Sequence, residues 1–177
     1  MSAGSGGAGK GGSAKGTAGK AGGAQSGVVD AGVAALAEPR FVRLELRTSA
    51  SPDRLYAAWS DPERLRRWFP EDVRGSLAPG TRSTLVWPHK SVWWDVEEAD
   101  PGRAFTFRWP WLDDSYTTRV SVRIMPEGYG ARLMLEDGPF DLAVPGVLDA
   151  WAEANAGWGE ALAFLKGFVD NSVDLRR

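Results

Sequence analysis

From Leu148 onward, Leu148, Trp151, Asn155, Trp158, Leu162, Leu165 and Val169 follow one another at steps of three and four residues. Only an α-helix brings such positions onto one face. A helix from about Val147 to Asp170 would be roughly 36 Å long. Gly157, Gly159 and Gly167 lie inside it, and each costs about 1 kcal/mol relative to alanine. Glycine at these places is expected where a neighbouring backbone or ring comes close. A single stripe of this length needs an extended apolar surface to lie against, and the preceding hundred or so residues supply one.

Those residues have a period of two. Phe41 to Arg47 sets Val42, Leu44 and Leu46 against Arg43, Glu45 and Arg47, as a half-buried strand does. From Gly80 the alternation returns, with Ser83, Leu85 and Trp87 on one side, then Trp94 and Val96. Phe105, Phe107 and Trp109 follow, then Thr118, Val120, Val122 and Ile124, then Ala131, Leu133 and Leu135. Asp100-Pro101-Gly102 and Pro126-Glu127-Gly128 are turn sequences between them. Short connections between successive strands predict an antiparallel meander. Ser51-Pro52-Asp53 and Asp61-Pro62-Glu63 each place an N-cap before a proline. They predict two short helices after the first strand, ended by Pro70.

The first 38 residues are different in kind. They hold 12 of the 22 glycines and 10 alanines, too little apolar surface to offset the entropy of ordering, and are expected to form a disordered tail. Residues 29–37 could at most form a short helix weakened by Gly32. The folded domain is expected over residues 39–177. Gly4 to Lys10 approximates a phosphate-binding loop, and Gly7-Ala8-Gly9-Lys10-Gly11-Gly12 a dinucleotide fingerprint. Neither follows a strand, and Gly11 stands where the loop needs Ser or Thr.

Composition removes several function classes. There is no cysteine and only one histidine in 177 residues, so thiolate nucleophiles, disulfides and Cys- or His-based metal clusters are excluded. A net charge of −2 argues against a broad nucleic-acid surface. No apolar run is long enough for a membrane span, and the first residues carry no apolar signal core; a cytoplasmic location is expected. His89 sits at an expected hairpin tip. The acid pairs Glu71-Asp72, Glu97-Glu98, Asp113-Asp114 and Glu136-Asp137 are sequence neighbours, which in a strand face opposite ways and make poor acid–base pairs.

The segments Thr48 to Phe69, Val96 to Trp109 and Gly157 to Lys166 resemble the START/Bet v 1-like (SRPBCC) superfamily, in its branch related to the C-terminal domain of the Hsp90 ATPase activator. The resemblance implies an α+β helix-grip fold, a curved antiparallel sheet wrapped around the long C-terminal helix with an apolar cavity between them. No cofactor and no metal are expected. The residues it places around that cavity are Trp68, Trp87, Trp94, Trp109, Thr118, Val120, Trp151, Asn155 and Trp158. Trp68 would close one mouth and Asn155 would be a polar anchor on an otherwise apolar stripe. Plain core packing is the competing account of the same aromatic residues.

Three functions follow from the resemblance. The first is binding of a hydrophobic or aromatic small molecule in the cavity. The second is a protein-interaction module with a chaperone or other protein as partner, for which Trp93, opposite Trp94, would be an exposed apolar hint. The third is a cyclase- or hydrolase-type enzyme, for which only Ser83, Tyr116, Thr118 and Asn155 offer polar groups. No catalytic set stands out, and small-molecule binding is the reading preferred.

Overall fold

The computed structural model describes residues 38–176. The tail expected over residues 1–38 lies outside them except for Glu38, as does the short helix considered at 29–37. The chain runs β1 (Arg40–Thr48), α1 (Pro52–Ser60), α2 (Pro62–Leu65), β2 (Asp72–Gly75), β3 (Arg82–Val86), β4 (Ser91–Asp100), β5 (Ala104–Trp111), β6 (Tyr116–Glu127), β7 (Gly130–Phe140) and α3 (Val147–Asn171). The strands form one antiparallel sheet in the order β1-β7-β6-β5-β4-β3-β2. It is the expected meander, closed at one edge by the first strand. α3 packs on β1 and β7 and touches α1. This is the helix-grip arrangement.

Local chemistry explains the helix starts. Ser51 accepts from the Arg54 N–H at 3.3 Å, and Asp61 accepts from the Glu63 N–H at 2.9 Å. Asp61 also ends α1, its own N–H reaching the Ala57 carbonyl at 3.1 Å. Each cap thereby satisfies a donor that the helix leaves free. α1 turns Leu55, Ala58 and Trp59 into the core. The Trp68 indole N–H donates to the Ala58 carbonyl at 2.9 Å, fixing the segment after α2 beneath α1.

The inner face follows the alternation. Ser83, Leu85, Trp94, Val96, Phe105, Phe107, Val120, Val122, Leu133 and Leu135 are all buried. The register puts Phe107 between Val96 and Val120, and Val122 between Phe105 and Leu135. A bulge between Val96 and Glu98 bends the sheet there. The outer face is tiled with ion pairs. Arg82 clamps Asp95 at 2.6 and 2.7 Å, Arg108 and Arg119 share Glu97, and Arg43 meets Glu136 at 2.7 Å. Trp93 does not project as an apolar patch, because the Arg82 guanidinium lies over its ring at 4.1 Å.

One strand was not foreseen and three expectations need correction. β2 pairs with β3 but is four residues long, too short to show a period. Trp87 falls just beyond the end of β3. In the first half of α3 the buried positions are Val147, Ala150 and Ala154, while Leu148 is 54% exposed. Small alanines form the true contact face, and a stripe drawn through the larger residues runs one position off until Trp158. Finally, a Cβ added at Gly157 or Gly159 would meet nothing within 4 Å, whereas at Gly167 it would lie 2.5 Å from Leu175. Only Gly167 admits a close neighbour, the returning C-terminal segment.

Candidate functional site

Rings fill the space between helix and sheet. Trp94 and Phe107 have centroids 4.2 Å apart, Trp59 and Trp68 4.8 Å, and Phe107 and Trp158 6.1 Å. Trp59, Trp68, Trp94, Phe105 and Phe107 are completely buried. Beside the middle of α3 this packing opens into a groove of about 560 Å³. Phe69, Trp87, Trp109, Trp111 and Trp158 form its aromatic wall, with Val92, Leu112 and Phe164 beside them. Phe69 is the hub, 5.3 Å from Trp87, 5.5 Å from Trp158 and 6.0 Å from Trp109. Such offset and edge-on contacts hold the rings in place; Trp87 and Trp111 remain half-buried, while Trp109 and Trp158 are almost wholly covered.

The polar groups stand at the rim. Lys90 and Ser91 come from the β3–β4 hairpin, Asp113 and Asp114 from the β5–β6 loop, Glu153 and Glu160 from α3. Leu112, Asp113 and Asp114 all have left-handed backbones, with φ of 50°, 51° and 69°. For non-glycine residues this conformation is costly and persists only where surrounding structure fixes it. Leu112 packs against Gly146 at the start of α3, within 3.2 Å of where a Cβ would stand. Lys90 reaches over the Trp87 ring at 5.7 Å and lies 4.0 Å from Glu153. The groove is therefore apolar in its floor and predominantly acidic at its edge.

Behind the wall lies a buried acid. Asp137 continues the inward positions of β7 after Leu133 and Leu135, and is fully buried. The Trp158 indole N–H donates to its Oδ2 at 2.8 Å. Oδ1 has no hydrogen-bond partner among the described residues. Burial pushes the carboxyl up to about 6, against the smaller downward pull of Thr118 and Trp158. Thr118 in turn accepts from the Trp111 indole N–H at 3.0 Å. Two groove tryptophans, Trp158 and Trp111, are thus tied to the same buried polar pair.

The structure divides the expected site residues. Trp87, Trp109 and Trp158 line the groove. Trp68, Trp94, Thr118 and Val120 lie beneath it in the core; Trp68 is drawn inward by its bond to Ala58, and its neighbour Phe69 takes the place at the mouth. Trp151 and Asn155 are half-buried and lie outside the groove wall. The Asn155 amide, expected as a polar anchor of the cavity, donates to the Trp151 carbonyl at 2.8 Å within its own helix. Ser83 bonds the Ser76 carbonyl, and the Tyr116 hydroxyl donates to Pro139 O at 2.9 Å while accepting from Asp141 N at 2.8 Å. Trp111, Phe69 and Phe164 were missed as groove residues, and Asp137 as a buried one.

A second, larger cleft of about 960 Å³ lies between α1, α2 and the end of α3. Three of its four arginines are engaged with neighbours: Arg64 with Asp61, Arg66 with Glu63, Arg54 with Ser172. Phe168 and Ala57 are its apolar lining, and it offers little for a ligand to desolvate.

No curated protein matches the chain. Solved structures with the same fold include MLL2253 from Mesorhizobium loti, at 21% identity and a TM-score of 0.67, covering 76% of this chain and 99% of that one. The Aha1 dimer from Colwellia psychrerythraea gives 16% and 0.66, over 75% of this chain and 97% of that one. CalU16 from Micromonospora echinospora gives 27% and 0.63, over 76% and 79%. The family model for Activator of Hsp90 ATPase homolog 1-like protein matches residues 49–170. That span takes in every strand from β2 to β7, both short helices and nearly all of α3, and so the chain belongs to the Activator of Hsp90 ATPase homolog 1-like family.

Proposed function

We propose that the protein binds an aromatic small molecule in the groove beside α3. The observation that carries this reading is the groove itself, about 560 Å³ in volume and walled by Phe69, Trp87, Trp109, Trp111 and Trp158 with polar groups only at its edge. Concave, largely apolar sites of this size with a few orienting polar groups suit small organic ligands. The cyclase- or hydrolase-type reading needs a hydroxyl or amide facing the ligand. Ser83, Tyr116, Thr118 and Asn155 are instead engaged in bonds within the fold. The interaction reading loses the support of Trp93, which lies under Arg82.

Gly157 offers a clean test. It lies at the groove on the exposed side of α3, and a Cβ there would meet nothing within 4 Å. Gly157→Phe should fold as well as the parent, helped by about 1 kcal/mol of helix propensity at most, and fill the groove. Native mass spectrometry of the full chain, taken with and without a panel of aromatic compounds, should show bound mass in the parent and none in the variant. Equal retention by both would place the ligand elsewhere and overturn the reading.

A further inference from the structure

We infer that the ligand of this groove is a flat aromatic molecule bearing a positive charge. The inference rests on the groove being a small-molecule site and adds the chemistry that it selects. Four carboxylates, Asp113, Asp114, Glu153 and Glu160, stand at the rim against one ammonium, Lys90. Asp114 also acts on Arg82, but Arg82 is clamped through Nε and Nη2 by Asp95, so the rim keeps its negative sign. The wall beneath presents indole rings, whose faces attract cations more strongly than those of phenylalanine or tyrosine.

The protein already makes one such contact for itself. The Lys90 ammonium lies 5.7 Å from the centre of Trp87 and 4.0 Å from Glu153. An indole face below and a carboxylate beside is the same pairing that a ligand cation would use elsewhere along the groove. Trp158 is tuned in the same direction: its N–H donates to the carboxyl of fully buried Asp137 at 2.8 Å. A hydrogen bond to an anionic acceptor pushes electron density into the ring and makes its face more attractive to positive charge. Floor, rim and buried support all favour one sign.

Three tricyclic probes of one shape test this: 9-aminoacridine, which is cationic at neutral pH, neutral acridine, and anionic acridine-9-carboxylate. Binding is read by NMR from the indole N–H signals of the full chain. The cation should bind about tenfold more tightly than acridine and the anion least, with the preference shrinking as salt is raised from about 0.05 to about 0.5 M. In the variant combining Asp113→Asn, Asp114→Asn, Glu153→Gln and Glu160→Gln, the preference should disappear while acridine binds as before. Lys90→Met should tighten the cation about threefold, by removing the one competing ammonium. Equal affinities for the three probes, or tightest binding of the anion, would overturn the charge inference and leave the aromatic site standing. Probes that shift none of the groove signals of Trp87, Trp109 and Trp158 would overturn both.

Discussion

Two aspartates mark two regions of the molecule, and they sit in opposite electrostatic worlds. Asp170, near the C-terminal end of α3, accepts from the backbone N–H and hydroxyl of Ser49 at 3.0 Å each, from the Thr48 hydroxyl, and from Lys166 at 2.8 Å. Lys166 also donates to the Arg47 carbonyl at 2.6 Å. Burial works against the charge, but these bonds outweigh it and hold the Asp170 carboxyl down to about 2. Asp137, beside the groove, has an indole N–H and a hydroxyl for company and no cation, and burial wins, raising it to about 6. The clasp at Asp170 locks the helix end to the β1–α1 turn. The groove side keeps an under-satisfied acid that stability alone would not retain.

The largest effect should come from Asp137→Asn. The folded protein holds a proton on Asp137 up to about pH 6, whereas the unfolded chain releases it near 3.8. Between these values the native state binds more protons, so wild-type stability falls as pH rises through that window. The accumulated loss is about 3 kcal/mol by neutral pH. An asparagine carbonyl can still accept from Trp158 and has no charge to bury. Urea unfolding at pH 4 and pH 7 should therefore show the variant gaining on wild type at the higher pH. Parallel pH profiles for the two proteins would break the comparison at its groove end.

Asp170→Asn should act with the opposite sign and a smaller size. A carboxyl whose value is lowered on folding stabilises the protein above its ordinary range, and that contribution fades as pH falls from about 4 to about 2. Removing it at pH 7 should cost about 2 kcal/mol, with Lys166 left over the Arg47 carbonyl without its counter-charge. The deficit should close as wild type is acidified, and thermal unfolding across that range would show it. A deficit unchanged down to pH 2 would mean that the clasp works through packing, not charge.

How much of this was readable in advance depends on scale. The alternation from Val42 to Leu135 gave the inner face almost residue by residue, because a half-buried strand leaves a two-residue period whatever its partners are. The helix was visible for the same reason, yet its contact face near the start was misjudged. Ala150 and Ala154 pack there, and small residues leave no mark in a search for large apolar ones. Asp137 was hidden differently. Its inward position follows directly from Leu133 and Leu135, and neighbours such as Glu136 and Asp137 face opposite ways in a strand, but an unpaired carboxylate is rarely the one that is fully buried. The groove wall needed three dimensions: Phe69, Trp111 and Phe164 come from the segment after α2, from β5 and from α3, and no spacing along the chain links them.

Glu136 and Asp137 bring the comparison down to adjacent residues. Glu136 points outward, half-exposed, and pairs with Arg43 at 2.7 Å, itself largely exposed. Water screens both charges, and ordering two long side chains offsets most of the attraction. Glu136→Gln should change stability by less than about 0.5 kcal/mol. The two variants make the same carboxylate-to-amide change at adjacent positions, on side chains one methylene apart in length; the face of the strand is what separates them. Measuring both in the same urea series makes Glu136→Gln the reference for the ordinary cost of neutralising an acid in β7. A large effect at Glu136 would mean that the outer ion-pair lattice acts cooperatively and stabilises the sheet far beyond its individual pairs.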